Sequence, residues 1–251
     1  MACFVNKVVI VTGASAGIGA ATAVRFAQEG ANVAIVGRNQ ERLAKVAEDC
    51  AKYGRNPLVI KADVSKDDEA RSIVAKTVEA FDKLDILVNN AGIYKYDDIQ
   101  KPDFMEIFDS IMTTNMRAVA FLTNLAVPYL IESKGNIVNV SSIAGRCVGH
   151  PHRTSYKTSK AALNHFTRCI ALELAPHGVR VNSVSPGPVA TEIFNTAGLP
   201  DALTTLKDAT ALGRVGESEE IADLILFVAS DKAKSITGSD YVSDNGMLLK
   251  Q

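Results

Sequence analysis

Apolar and polar positions alternate along the whole chain between two kinds of segment. Short, nearly continuous apolar runs predict strands that are buried on both faces, and the amphipathic segments between them predict helices. The expected strands are residues 7–12, 32–36, 58–61, 85–88, 137–140, 179–185 and 240–243. The expected helices are residues 17–29, 40–53, 102–131, 155–175 and 218–230, with one more that begins at residue 67.

Capping and breaking residues set the helix ends. Gly30 and Gly54 stand where glycine commonly ends a helix, and Pro102 stands near the start of the long helix. Pro128 is expected to kink the last turns of that helix. Ser218 is expected to cap the last helix with its hydroxyl oxygen.

This order of elements predicts an α/β fold, a Rossmann-like, doubly wound sheet of seven parallel strands with helices on both faces. No repeat or Pro/Gly/Ser-rich linker divides the chain, so residues 1–251 are expected to form a single domain. Ligands bind such sheets beyond the carboxyl ends of the strands. A substrate loop is expected at about residues 188–215, with further pocket walls at residues 93–98 and 143–154.

Composition narrows the function. The chain of 251 residues is 47% hydrophobic and 22% charged, with a net charge of −1. Dispersed Lys and Arg argue against a nucleic-acid or membrane-surface partner, and no apolar run is long enough to span a bilayer. The first strand begins almost at the N-terminus, so no signal peptide is expected and the protein is predicted to be cytoplasmic. The four cysteines lack metal-ligand spacing, and no metal is expected.

A glycine-rich loop, Thr12-Gly13-Ala14-Ser15-Ala16-Gly17-Ile18-Gly19, follows the first strand. Its glycines allow a tight turn and close approach to a pyrophosphate, which the amides of the next helix would bind. The alternative is a tight turn with a structural role only. After the second strand, Gly37-Arg38 stands where an NAD-binding chain has an acid. Arg38 therefore favours the 2′-phosphate of NADP, the alternative being a solvated surface arginine.

Polar residues also follow the later strands. Asp63 is suited to an adenine amino group and equally to capping the following turn. Asn89-Asn90-Ala91-Gly92 would let a flat ligand lie against the backbone, unless the asparagines form a turn. Ser142 ends strand five, and Ser185-Pro186-Gly187-Pro188 with Thr191 follows strand six, where it could hold the second half of a dinucleotide.

Tyr156 and Lys160 are four residues apart in a predicted helix, which places a phenol and an ammonium on one face. Lowering a tyrosine pKa from about 10 to about 7 requires roughly 4 kcal/mol. One cation at about 4 Å supplies energy of that order at an effective dielectric near 20. The pair is therefore suited to acid–base chemistry, although alone it could be an ordinary surface pair.

Together these motifs resemble the classical short-chain dehydrogenase/reductase family, over nearly the whole chain from Val8 to Gly246. The resemblance implies that Tyr156 is the general acid and base, and that Lys160 lowers its pKa and binds the nicotinamide ribose. It implies that Ser142 polarises the substrate carbonyl and that Asn115 holds a proton-relay water. The NADP(H) contacts are then expected to be Gly13, Ser15, Gly17, Ile18, Gly19, Arg38, Asp63, Val64, Asn90, Ala91, Gly92, Tyr156, Lys160, Pro186, Gly187, Val189 and Thr191.

Two departures from the family pattern stand out. The interval from Ser142 to Tyr156 is fourteen residues, one more than is common in the family. Asp244-Asn245-Gly246 replaces the usual Asp-Gly-Gly, and because Asn tolerates a left-handed backbone, the turn is expected to survive.

The leading hypothesis is an NADPH-dependent reductase of ketones or aldehydes, reversible as an alcohol dehydrogenase. The second is a 3-oxoacyl-thioester reductase, in which Arg146, Arg153, His150 and His152 meet an acidic carrier or CoA. The third is a non-catalytic NADP-binding regulator. The resemblance also implies a homo-oligomer, a tetramer or dimer, and the face formed by Phe121, Leu125 and Tyr129 would serve for assembly or fill the core.

Overall fold

Seven strands in the described part of the chain form one parallel sheet. The computed structural model describes residues 3–149, 151–192 and 205–250. The strands are β1 (Val8–Thr12), β2 (Asn32–Gly37), β3 (Leu58–Lys61), β4 (Ile86–Asn89), β5 (Asn136–Val140), β6 (Arg180–Pro186) and β7 (Asp240–Ser243). Their order is β3-β2-β1-β4-β5-β6-β7, and each neighbouring pair is parallel. The predicted sheet is confirmed, with its switch point between β1 and β4.

Helices cover both faces of the sheet. They are α1 (Gly17–Gln28), α2 (Gln40–Ala51), α3 (Asp67–Phe81), α4 (Phe104–Met112), α5 (Ala118–Ser133), α6 (Thr154–Leu174) and α7 (Ser218–Ala229). Successive side chains of β1 point to opposite faces. Val9 and Val11 pack in a cluster with α1, α2 and α7, whereas Val8 and Ile10 pack in a second cluster with α3, α5 and α6. Two buried layers therefore hold β1, and the site at its carboxyl end, in place.

The long helix predicted over residues 102–131 is not one regular helix. It begins at Phe104, after Asp103, and a π-helical turn at Thr113–Arg117 separates α4 from α5. A π turn fits one extra residue into a helix, and such turns are frequent at functional sites. Pro128 lies inside α5, which continues beyond it to Ser133.

Backbone angles and a capping box define the predicted turns and helix ends. Gly30 and Gly54 have φ of +88° and +74°, which confirms both as helix-ending residues. Asn245 adopts φ of +51°, so the expected left-handed turn is present. The prediction for Ser218 is wrong by one position, because Glu217 caps α7. The Glu217 side chain accepts from the backbone of Glu220, whose carboxylate accepts from the Glu217 amide at 2.8 Å.

Within the described ranges, no helix is both long and apolar enough to cross a bilayer. The same residues contain no group of three or more His, Cys, Asp or Glu side chains arranged to hold a metal ion. Residues 193–204 of the expected substrate loop, and His150, lie outside the described residues.

Candidate active site

The glycine loop lies between β1 and α1 and is held from β4. Gly13 has φ of +65°, and a Cβ there would lie 2.8 Å from the Asn90 side-chain nitrogen. A Cβ at Gly19 would overlap the carbonyl oxygen of Gly13. No side chain caps α1, since its N-cap residue is Ala16. Its first amides therefore keep their hydrogen-bonding capacity, as binding of a dinucleotide pyrophosphate requires.

The small residue Gly37 ends β2, and the cationic Arg38 follows it. A Cβ at Gly37 would lie 3.2 Å from the Ser15 Cβ, so the chain is closely packed there. The Arg38 side chain is 70% exposed, and its guanidinium lies 3.8 Å from the Asp63 carboxylate. That ion pair is long and partly solvated, so the guanidinium remains available to a phosphate.

Asp63 caps its own turn. Its carboxylate accepts hydrogen bonds from the Ser65 amide at 3.0 Å and from the Ser65 hydroxyl at 2.7 Å. Burial raises the pKa of Asp63, but the hydrogen bonds from Ser65 and the charge of Arg38 outweigh it, so the net shift is downward. The expected turn cap is therefore present and uses one oxygen of the carboxylate, while the contact with adenine stays a prediction.

The segment after β4 is fixed by its asparagines. Asn89 is buried, and its amide donates to the Asn139 side chain at 2.9 Å. The side-chain amide of Asn90 donates to the carbonyl oxygens of Thr12 and Gly13 at 2.9 and 3.3 Å. Asn90 therefore ties the backbone of the glycine loop to β4, whereas Asn89 bonds a side chain of β5, and these long-range bonds are not those of a turn-forming residue. The bonds of Asn90 join the ends of β1 and β4 and so shape the cleft between them.

Asn115 lies in the π turn and is almost fully buried. Its side-chain oxygen accepts from the Ile93 amide at 2.8 Å. Its side-chain nitrogen donates to the Ile93 carbonyl at 2.9 Å and to the Ser159 hydroxyl at 3.2 Å. A Cβ at Gly92 would lie 3.4 Å from the Asn115 oxygen and 3.8 Å from the Lys160 ammonium. The π turn thus brings Asn115 beside α6 at the end of β4.

Tyr156 and Lys160 lie on α6, and Ser142 follows β5. The Ser142 hydroxyl is close enough to the Tyr156 phenol to lower its pKa through hydrogen bonding, against the larger effect of burial. The Ser142 oxygen also accepts from the Ala144 amide at 3.1 Å, which fixes the serine side chain. The Lys160 ammonium lies 5.7 Å from the centre of the Tyr156 ring and donates to the Val140 carbonyl at 2.8 Å. The predicted phenol, hydroxyl and ammonium therefore converge.

Burial shifts the pKa values of both Tyr156 and Lys160. It raises the pKa of Tyr156 to about 12, a rise that the Ser142 hydrogen bond opposes and Tyr94 reinforces. Burial also lowers the pKa of Lys160 to about 8. The expectation that Lys160 brings the Tyr156 pKa toward neutrality is therefore wrong for this arrangement. The ammonium donates to the Val140 carbonyl and lies 5.7 Å from the ring centre, and desolvation of the phenol outweighs its attraction for a phenolate.

The end of β6 closes the other side of the cleft. A Cβ at Gly17 would lie 3.0 Å from a methyl carbon of Thr191, which places Thr191 against the glycine loop. Gly187 packs on Asp244, where a Cβ would lie 2.7 Å from the Asp244 backbone. A side chain at Gly187 would therefore displace the chain between β6 and the C-terminal segment.

A cavity of about 210 Å³ lies between these elements. The predicted site residues that line it are Ile18, Asn90, Gly92, Ser142, Tyr156, Lys160, Pro186, Gly187, Val189 and Thr191. Asn115 stands behind this wall, while Val64 and Ala91 line a separate small cleft beside Thr12. Arg38 and Asp63 lie at the end of β2 and β3.

Sequence reasoning did not single out Tyr94 or Met247, which also line the cavity. The Tyr94 ring meets the Tyr156 ring edge-on, with centroids 4.9 Å apart and planes at 83°. Tyr94 falls in a predicted pocket wall, but no motif marks it. Met247 comes from the C-terminal segment, and only the fold brings it to the cavity.

A glycine loop at the switch point of a parallel sheet, with a tyrosine and a lysine beside the cleft, is typical of oxidoreductases that use a nicotinamide cofactor. The family model described as "Enoyl-(Acyl carrier protein) reductase" matches residues 13–248. The chain belongs to the short-chain dehydrogenase/reductase family, whose members are oxidoreductases that bind a nicotinamide cofactor.

Relatives with different names are similar over nearly their whole length. The chain is 38% identical to glucose 1-dehydrogenase of Gluconobacter oxydans, covering 98% of this chain and 93% of that protein. It is 39% identical to the 3-oxoacyl-[acyl-carrier-protein] reductase FabG of Thermotoga maritima, covering 97% and 98%. A short-chain dehydrogenase/reductase of unknown function from Caenorhabditis elegans, solved with cofactor, superimposes with a TM-score of 0.93 at 40% identity, covering 99% and 97%. The relatives' names disagree on the substrate.

Proposed function

We propose that the protein is an NADPH-dependent reductase that converts a ketone or aldehyde carbonyl to an alcohol, reversibly. The observation that carries this proposal is the convergence of the Tyr156 phenol, the Ser142 hydroxyl and the Lys160 ammonium at the wall of one cavity. Two hydroxyls that meet there can both point at one carbonyl oxygen. The cofactor, when bound, supplies the hydride that the carbonyl carbon accepts.

Each side chain then has a role in handling the proton. Tyr156 donates its phenolic proton to the carbonyl oxygen as the alkoxide develops, and Ser142 stabilises that oxygen with a hydrogen bond. The raised pKa of Tyr156 keeps the phenol protonated before reaction, which suits the direction of reduction. Lys160 supplies a positive charge that stabilises the phenolate left behind. Asn115 positions the Gly92–Ile93 backbone through its bonds to Ile93.

The cofactor site is proposed along the strand ends. The amides of the Gly13–Gly19 loop and of the start of α1 would bind the pyrophosphate. Arg38 would bind the 2′-phosphate, with Ser15 packed against the neighbouring Gly37. Asp63 and Val64 would face the adenine. The backbone of residues 90–92, together with Pro186, Gly187, Val189 and Thr191, would hold the nicotinamide half.

The test is NADPH consumption against a panel of ketones and aldehydes, with NADH in parallel. Tyr156→Phe should lower kcat/KM by at least about 10²–10⁴-fold. Tyr53→Phe makes the same change at an exposed tyrosine, so it is the matched control and should leave the rate unchanged. A Tyr156→Phe enzyme with near-normal turnover would remove Tyr156 from the mechanism. Tight NADPH binding without reduction of any carbonyl would instead favour a non-catalytic NADP-binding regulator.

Arg38 carries the preference for NADPH. Arg38→Gln should lower the ratio of kcat/KM for NADPH to that for NADH by about 10- to 100-fold, because it removes a charged phosphate contact. The exposed Lys45→Gln on α2 removes the same charge without approaching β2 and should leave the ratio unchanged. Equal efficiency with both cofactors in the unaltered enzyme would retire this role.

A 3-oxoacyl-thioester reductase is the second candidate, favoured by the family description and by the similarity to FabG. The structure removes part of its expected support. Arg146 is paired with Asp240 at 2.6 Å, and His152 stacks on Tyr96. Reduction of acetoacetyl-CoA far more efficient than that of any free ketone would establish this candidate over the first.

We also propose that the protein is a homo-oligomer, a dimer or tetramer. Phe121, Leu125 and Tyr129 are only partly buried on α5, and their exposed parts, with the arginines that lie over the Phe121 ring, would meet a second copy. Light scattering after size-exclusion chromatography measures the assembled mass directly, and a monomer at micromolar concentration would contradict the proposal.

A further inference from the structure

Two cations flank Tyr156 at the cavity wall. Arg153 is the residue before the first turn of α6, and Lys157 stands four positions on, so both lie on the helix face next to Tyr156. Both line the cavity that contains Tyr156 and Ser142. The Arg153 guanidinium lies 5.7 Å from the centre of the Tyr94 ring, and that ring contacts Tyr156. The positive charge is therefore close to the proposed reaction centre.

No carboxylate in the described part of the chain forms an ion pair with Arg153. The described residues that line the cavity include no Asp or Glu. Asp97 lies at this turn, and its two oxygens accept from the amides of Thr154 at 2.8 Å and Ser155 at 2.7 Å. Its charge is therefore directed at the start of the helix.

The neighbouring basic side chains have carboxylate or carbonyl partners. Arg146 donates to the Asp240 carboxylate and carbonyl, and His152 lies 3.8 Å from Asp98. Lys157 donates to the Val148 carbonyl. Burial and the charge of Arg153 lower the pKa of Lys157, against opposing effects of Cys147 and Asp97. The two cations are thus close enough to repel each other, and an anion between them would relieve that repulsion.

We propose that the carbonyl substrate carries an anionic group, a carboxylate or a phosphate, which Arg153 binds together with Lys157. The inference rests on the proposed reductase function and specifies its substrate class. A guanidinium fork matches the paired oxygens of either anion, and Lys157 adds a second charge. The amides at the start of α6 are already used by Asp97, so the side chains bind the anion. The carbonyl then lies at Tyr156 and Ser142.

Matched substrate pairs test this specificity. Pyruvate, acetoacetate and levulinate carry a carboxylate at increasing distance from the ketone, and their methyl esters carry none. Dihydroxyacetone phosphate paired with dihydroxyacetone distinguishes a phosphate from a carboxylate. We expect kcat/KM with NADPH to be about 10- to 100-fold higher for at least one anion than for its neutral partner. Equal values within every pair would overturn the inference.

Substitution assigns the preference to Arg153. Arg153→Gln should lower the ratio of anionic to neutral kcat/KM by about 10- to 100-fold, and Arg153→Lys should restore part of it. Arg168→Gln removes the same charge from an exposed position farther along α6 and should leave the ratio unchanged. An equal loss for both members of each pair in Arg153→Gln would indicate a packing role against Tyr94 and would also overturn the inference.

A binding measurement separates this inference from the proposed function. Lactate, 3-hydroxybutyrate and glycerol 3-phosphate should raise the melting temperature of the protein with NADP⁺ more than lactamide or glycerol does. Arg153→Gln should abolish the difference. Reduction of neutral ketones without any anion preference would defeat only the inference, whereas anion binding without reduction would defeat only the reductase function. Neither reduction nor anion binding would defeat both.

Discussion

Lys160 should make the protein less stable than a variant without its charge. The side chain is 5% exposed, and its ammonium has the Val140 carbonyl as its hydrogen-bond acceptor, at 2.8 Å. Burial lowers its pKa from 10.5 to about 8. The change to test is Lys160→Met, which keeps a long unbranched side chain and removes the buried charge.

The magnitude follows from the pKa. Each unit corresponds to about 1.36 kcal/mol, so holding Lys160 charged in the fold at neutral pH costs roughly 3 kcal/mol. The substitution removes that cost but leaves the Val140 carbonyl without its donor, a loss of about 1–2 kcal/mol. Lys160→Met should therefore be more stable by about 1–2 kcal/mol at pH 7, or by roughly 2–6 °C in Tm.

The pH dependence has a definite sign. Because the pKa of Lys160 is lower in the folded state, the folded protein binds fewer protons than the unfolded chain between about pH 8 and 10.5. Wild-type stability therefore gains up to about 1.36 kcal/mol per pH unit there from this group, which the variant lacks. The advantage of Lys160→Met should vanish by about pH 9.5. The raised pKa of Tyr156 is common to both proteins and acts only above about pH 10.

Urea unfolding of both proteins at about pH 7, 8 and 9.5, at one protein concentration, measures the difference. Lys160→Met should also lose reductase activity, since the phenolate would lose the positive charge of Lys160. The exposed Lys45→Met is the control and should shift stability by less than about 0.5 kcal/mol. A variant less stable than wild type at pH 7, or a difference that is constant up to pH 9.5, would refute the reasoning.

Three further substitutions have expected outcomes. Gly19→Ala should abolish NADP⁺ binding in calorimetry, because its Cβ meets the Gly13 carbonyl, whereas Gly54→Ala has open space and should cost only about 1 kcal/mol of stability; equal binding by both would contradict this. Asn115→Ala breaks three hydrogen bonds and leaves the Ile93 backbone unpaired, so urea unfolding should show a loss of about 2–4 kcal/mol, and a loss below 1 kcal/mol would exclude this role. Asp97→Ala removes both acceptors at the start of α6 and should lower stability by about 1–2 kcal/mol and raise KM. An unchanged KM would show that the start of α6 does not affect substrate binding.

Much of the fold could be predicted because it depends on simple patterns. All five residues of β1 are buried, which a parallel sheet covered on both faces requires and which an apolar run reveals. Gly30 and Gly54 mark helix ends because only their backbone angles suit those positions at low cost. Tyr156 and Lys160 could be paired from their spacing alone, and the order of the motifs placed Ser142 in the same site.

The remainder depends on contacts between distant segments. The π turn around Asn115 has no local signal, because its bonds to Ile93 and Ser159 form only in the fold. The pKa of Tyr156 could not be predicted from Lys160, since the degree of burial decides it. Ser218 is a better capping residue than glutamate by preference, yet the reciprocal bonds of Glu217 and Glu220 prevail.

The π turn at Thr113–Arg117 makes the length of this helix a functional property. Each residue of a regular helix turns the chain by about 100°, so one residue too few or too many would swing everything downstream by that angle. Deleting a single residue from this π turn would have one of two outcomes. Either Leu122 would leave the buried layer that it shares with the sheet, or Asn115 would lose Ile93. The position of Asn115 beside the cavity therefore depends on the number of residues in this helix, and a change of side chain cannot compensate for a missing residue.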